Sequence, residues 1–239
     1  MKRINSKIPF VGLHAHSVAG SVFDGFGYPQ DHMDFAYENG MNALALTDHG
    51  NMNGMSYQVL HAKKMKAEGK EFKPIFGVEA YFVPCLEEWK QEYEKIKKDK
   101  KEAKKQIQDT DKVETEDENA SKSKSKSLIN SYRHLVLIAM NQQGLNNIFK
   151  IVSDSHQGDN FYRKPRLDYK LLKKYGDGVI ASSACLGGVY AKDYWNNRED
   201  GEEAVLEAMR ATTRSMIDSL GDRWYGELQW NNVPEQHEV

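Results

Sequence analysis

An α/β fold with mostly parallel strands is predicted for this chain by three observations. Short apolar runs alternate with helical segments from residue 10 onward. Several of those helices stop at Asn-Gly or Gly, the usual left-handed end of a helix. Side chains able to bind metals gather where the apolar runs begin and end.

The first element is FVGLHAHSVAGSVFDG, Phe10 to Gly25, read as a short strand that ends in His14 and His16. Residues two apart on a strand share a face, so both imidazoles point into one space. Converging neutral imidazoles suit a divalent transition metal such as zinc or manganese. Asp24 follows a Gly/Ser turn and is placed to return a carboxylate to the same pocket. A solvated strand end is the bland alternative for the two histidines alone.

Pro29 to Gly40 reads as a helix, and Met41 to Thr47 as a strand running into Asp48-His49-Gly50. Gly54 to Gly69 has helical periodicity through Met55, Val59, Ala62 and Met65. Ile75 to Val83 is the next strand, with Glu79 in its middle. A carboxylate inside an apolar strand is costly unless a cation or donors meet it. His134 to Ala139 forms a strand and Leu145 to Ser155 a helix; Phe161 to Asp168 reads as a loop carrying Arg163, Lys164 and Arg166. Val179 to Cys185 is a strand leading through Leu186-Gly187-Gly188 into a helix. Glu202 to Leu220 is amphipathic, and Trp224 to Trp230 reads as a last strand.

Residues 86–128 break this pattern. Twenty-four of the 43 are charged, twelve of each sign. The first half, Glu87 to Ile107, reads as a solvent-exposed helix laced with Glu/Lys pairs. The second half lacks apolar residues to bury and reads as disordered. The whole insertion is expected to be dispensable for folding, since loop-closure entropy grows slowly with length.

At 239 residues the chain can bury a sizeable core, and it reads as one domain over 1–239. A net charge of −2 excludes a globally basic nucleic-acid binder. Two cysteines, Cys85 and Cys185, cannot make a disulfide framework, so a cytoplasmic location is expected. No run is long enough for a membrane span, and no membrane partner is expected.

Taken in order, HAHS with the later DG, TDHGNMNG, KPIFGVEAY, HLVLIAMNQQGLNNI, FYRKPRLD and SSACLGG resemble the PHP (polymerase and histidinol phosphatase) domain family. The similarity is to the branch attached to bacterial DNA polymerase III alpha subunits. It implies a distorted (β/α)7 barrel holding up to three divalent ions, zinc, manganese or iron, at one face. Carried over motif by motif, the implied ligands are His14, His16, Asp24, His49, Glu79, His134 and Cys185. Asp48 is implied as support behind His49. His32, His61, His156 and His237 match no motif and are read as surface residues.

The resemblance also implies a final Asp-x-His pair beyond the PEQ segment, so the barrel is expected to be incomplete and truncated before a polymerase region. The implied activity is metal-dependent phosphoester hydrolysis, in polymerase-linked members a 3′→5′ exonuclease on a single-stranded DNA end, within a DNA-directed DNA polymerase. The implied partners are DNA and a polymerase region on the same or a separate chain. Arg163, Lys164 and Arg166, beside Phe161 and Tyr162, are the expected guides for the DNA backbone. A free-standing phosphatase of histidinol-phosphatase type and a non-catalytic structural module are the alternatives.

Overall fold

The computed structural model describes residues 10–109 and 131–239. Its elements are α1 (Pro29–Glu38), β1 (Ala43–Leu46), α2 (Met55–Ala67), β2 (Lys73–Phe82), α3 (Leu86–Asp109), β3 (Arg133–Ala139), α4 (Gln142–Ser155), β4 (Phe161–Tyr162), β5 (Lys164–Leu167), α5 (Tyr169–Tyr175), β6 (Val179–Ser182), α6 (Val189–Asn197), α7 (Glu202–Leu220), β7 (Trp224–Tyr225) and α8 (Pro234–Glu238).

Strand β2 is the spine. Its neighbours give the order β4-β5-β2-β3-β6-β7, with β1 also paired to β2. β3 takes one edge of β2; β1 and then β5 share the other. Five strands run one way, while β3 and β4 run against them. The sheet is mixed α/β, rich in parallel strands and not closed into a barrel.

Alternation along these strands separates a packing face from a site face. Val78, Ala80 and Phe82 of β2 join Leu135 and Leu137 of β3 against Ile148, Ile151, Leu172, Val189, Met216 and Leu220 from the helices. The odd positions of β2, including Glu79 and Tyr81, face the other way, as do His134, Val136 and Ile138 of β3. There Val136 and Ile138 pack with Ala45 and Ala184. Residues 134 and 79 thus share a face because the register pairs Tyr81 with His134 and Glu79 with Val136.

Four expected elements take a different form, and two helices, α5 and α8, fall where none was expected. The opening strand is one bridge, Gly12 to Leu44. Its ladder is interrupted because Thr47 Oγ1, not a carbonyl, accepts the Ala15 N–H at 3.2 Å. The segment 161–168 is a hairpin rather than a loop, with β4 turning into β5 at Arg163, whose φ is 59°. The final strand is only Trp224–Tyr225. Helix α3 is not solvent-exposed at its base: Leu86 and Trp89 are buried with Val83, and Tyr93, Tyr132 and Tyr162 pack on them. Asp168 accepts from the N–H of Leu86 at 3.1 Å and of Leu171 at 3.0 Å, so one carboxylate caps both α3 and α5. Of the half of the insertion expected to be disordered, residues 110–128 lie outside the described residues. His61 is half-buried between α1 and α2, its Nε2 2.8 Å from Asp34 Oδ1.

Candidate metal centre

Glu79 is fully buried at the middle of the site face. Each neighbour reaches it through a local device. His49 extends β1 and bridges to Glu79, with the Gly50 N–H donating to the Glu79 carbonyl at 2.8 Å. Gly50 makes that turn at φ 67°, and a Cβ there would lie 2.8 Å from Pro165 Cγ. His14 and His16 ride on the segment beside β1, fixed by the Thr47 N–H donating to the Ala15 carbonyl at 2.8 Å. His134 starts β3, and because β3 is antiparallel its first residues lie where the neighbouring strands end. Cys185 follows β6 on a tight turn, with the Gly188 N–H donating to its carbonyl at 2.7 Å. Gly187 lies flat on His134; a Cβ would come within 3.0 Å of Nδ1.

The distances define one cluster. His14 Nε2 and His134 Nδ1 lie 3.3 and 3.0 Å from Glu79 Oε1; His16 Nε2 and His49 Nδ1 lie 3.3 and 2.7 Å from Oε2. Cys185 Sγ is 3.6 Å from Oε1 and 3.5 Å from His134 Nδ1. Two triads, His14–His16–Glu79 and His49–Glu79–His134, each have donor atoms within 4.8 Å of one another. Glu79 is common to both.

Burial disfavours charging Glu79, but His134, His14 and His49 outweigh it and hold the carboxyl far below its usual range. Burial likewise opposes charging His14, yet Glu227 and Glu79 push it up to about 9. His49 is raised, since Glu79 and Asp24 overcome its burial. His16 is lowered by burial, with His49 and His14 adding to it against Glu79. Burial and then Glu79 push the Cys185 thiol up to about 11.

These residues fit divalent ions. Among the described residues, His16 Nδ1, His49 Nδ1 and Glu79 Oε2 are buried without a hydrogen-bond partner. His49 Nδ1 and Glu79 Oε2 are 2.7 Å apart yet out of line for a hydrogen bond. Buried lone pairs without donors suit a cation, and a mixed His/carboxylate set suits zinc, manganese or iron.

Asp24 is exposed and stands outside both triads, its Oδ2 2.7 Å from the far nitrogen of His49. Asp48 is buried and meets no imidazole. Its Oδ1 accepts from the Ser17 N–H at 2.6 Å and Ser21 Oγ at 3.0 Å, and its Oδ2 from Ser17 Oγ at 2.9 Å. Ser21 Oγ in turn accepts the His49 N–H at 3.0 Å, so Asp48 supports His49 through Ser21.

Sequence reasoning missed Glu227. Its Oε1 is 2.7 Å from His14 Nδ1, its Oε2 accepts from Ser182 Oγ at 2.5 Å, and Gln229 Nε2 donates to Oε1 at 2.8 Å. The signal was a carboxylate inside the aromatic WYGELQW, the same anomaly that marks Glu79.

The basic trio separates. Arg166 is 2% exposed, donates to the carbonyls of Tyr162 and Lys164, and lies 4.3 Å over the Trp89 ring. A buried guanidinium cannot reach a DNA backbone, so that expectation is corrected: Arg166 packs the base of α3. Arg163 is exposed and lies 5.4 Å over the Tyr162 ring. Lys164 turns to the centre and donates to the Tyr81 hydroxyl at 2.9 Å.

Comparison with known proteins follows the same lines. The chain is 36% identical over 230 residues to the DNA polymerase III subunit alpha of Aquifex aeolicus, covering 95% of this chain and 16% of that protein. It is 31% identical over 238 residues to the Thermus aquaticus subunit, covering 99% and 16%. The chain thus spans about a sixth of the length of these relatives. A crystal structure from Bifidobacterium adolescentis, described as a metal-dependent phosphoesterase, superposes with a TM-score of 0.48 at 11% identity, covering 95% of this chain and 80% of that one. That score is too low to carry an argument. The PHP domain family matches residues 12–229, which hold His14 through Glu227, and the chain therefore belongs to the PHP domain family.

Proposed function

We propose that this chain is the PHP domain of a replicative DNA polymerase III alpha subunit and that its centre is a metal-dependent phosphoesterase. The finer activity is 3′→5′ exonucleolytic removal of nucleotides from a single-stranded DNA end, in the cytoplasm and beside a polymerase region. The observation that carries the reading is Glu79, one buried carboxylate shared by two ligand triads.

His14, His16 and Glu79 would hold one ion, and His49, Glu79 and His134 a second; Asp24 and Cys185 stand beside them. Paired divalent ions supply a water of lowered pKa and clamp phosphate oxygens for displacement. The chain's own part is positioning. Glu227 holds His14 at Nδ1, which leaves Nε2 turned to Glu79. Asp24 does the same for His49 from the solvent side. Such outer carboxylates fix ring orientation and raise ligand basicity.

The test is metal content after equilibration with zinc, manganese or iron, followed by hydrolysis of bis(p-nitrophenyl) phosphate and of a 3′-labelled single-stranded oligonucleotide. Bound metal with hydrolysis that disappears in Glu79→Gln is expected. Bound metal with no hydrolysis of either substrate would leave a structural module instead.

A further inference from the structure

Above the centre lies a cleft of about 340 Å³, lined among others by Phe23, His49, Tyr81, Tyr132, His134 and Lys164. Resting on the phosphoesterase reading, we infer that this cleft seats a single nucleotide, with Lys164 taking its phosphate and Phe23 stacking on its base. His49 and His134 form the floor, so a phosphate held there meets the proposed ions.

Lys164 is half-buried, and among the described residues its ammonium makes no ion pair. Its contacts are neutral: the Tyr81 hydroxyl at 2.9 Å and the Tyr81 ring at 4.7 Å. Lys170 and Lys173, by contrast, each pair with a carboxylate. A partly desolvated ammonium held in place without an anion is a receptor for one.

Phe23 supplies the second half. Its ring is fully exposed at the cleft, on a hydrogen-bonded turn. Asp48 binds Ser17 and Ser21 ahead of the turn, the Gly25 N–H donates to the Ser21 carbonyl across it at 2.6 Å, and Gly25 is packed so closely that a Cβ would fall 2.4 Å from the Ser17 carbonyl carbon. A solvent-facing ring carried on a hydrogen-bonded turn is a stacking platform for any base. The cleft volume is at the lower end for small-molecule sites, which admits one nucleotide unit and not a duplex.

The experiment is calorimetric titration in manganese buffer with three probes: inorganic phosphate, deoxyribose 5-phosphate and thymidine 5′-monophosphate. Wild type should bind the nucleotide at least about fivefold tighter than the sugar phosphate, the gain expected from one stacked base. Phe23→Ala should erase that preference and leave inorganic phosphate binding unchanged. Lys164→Gln should weaken all three, while Lys164→Arg, which keeps the charge, should recover phosphate binding and control for folding. Wild type that does not bind the nucleotide, or that binds it no better than the sugar phosphate, overturns the seat, as do variants that behave like wild type. Hydrolysis of bis(p-nitrophenyl) phosphate is read in parallel. Binding with these dependences but no hydrolysis keeps the seat and removes the phosphoesterase; hydrolysis with unaltered variants does the reverse.

Discussion

Glu79 shows why a carboxylate in an apolar strand is worth following. It has no solvent exposure, and His14, His16, His49, His134 and Cys185 all lie against its two oxygens. Glu79→Gln replaces the carboxylate shared by both triads with a neutral amide and should lower metal affinity by at least about 100-fold, beyond what an outer partner contributes. Glu227→Gln acts only through His14 and should cost about 10–100-fold, with metal content after dialysis and calorimetry as the readouts. Asp48→Ala separates structure from metal. It strands the Ser17 N–H and the two serine hydroxyls and should cost about 2–4 kcal/mol in urea denaturation, with stoichiometry of bound metal unchanged. The residues of the centre could be singled out because imidazoles and a thiol at strand ends, and a carboxylate inside an apolar strand, are rare as packing residues; the structure brings His14, His16, His49, His134 and Cys185 to Glu79 and leaves Asp24 outside both triads. Glu227 was not, since it lies just past β7 and its role depends on His14, 213 positions earlier. Arg166 was misread because a cation beside aromatic residues has the same sequence pattern whether the ring it meets belongs to a base or to Trp89.

At the scale of elements, α3 is two things in one helix. Its first turns are core: Trp89 is fully buried under Arg166, and Asp168 caps Leu86. From Lys97 to Asp99 the side chains are exposed. Trp89→Ala should therefore cost about 3–5 kcal/mol. Replacing 97–128 by a short Gly/Ser linker should leave the melting temperature nearly unchanged, whereas replacing 86–128 should lower it by several degrees. Calorimetry of the three variants checks both halves of the argument. The longer helices were legible because their apolar spacing and stop signals are local, and α7 spans Glu202–Leu220 as its periodicity predicts; the short α5 and α8 have too few turns to show a period. The hairpin at Arg163 was not, for a non-glycine residue at positive φ leaves no mark in the sequence. The opening strand was overread because an apolar run gives no sign that Thr47 Oγ1 will interrupt its ladder.

For the molecule as a whole, the sheet stays open, and its β1 edge meets its β7 edge through side chains: His14, beside β1, touches Glu227, beyond β7. Ions held at Glu79 and His14 would link those edges and would bind the folded chain in preference to the unfolded one. At a free metal concentration about a thousandfold above Kd the gain is about 4 kcal/mol, so manganese or zinc should raise the melting temperature in a concentration-dependent way. A chelator should reverse the rise, and Glu79→Gln should show none of it; differential scanning calorimetry reads all three.

The reversed course of β3 has a kinetic consequence. β3 is the one strand that joins β2 to β6, and it is made after the whole of α3 and residues 110–130 have been synthesised. Without it, β1, β2 and β5, with His14, His16, His49 and Glu79, have no pairing to β6 and β7, which lead to Cys185 and Glu227. Pairings this distant in sequence form late. The centre therefore has a partial ligand set until Cys185 and Glu227 have been made, and the expectation is that ions would bind the folded domain and not nucleate it.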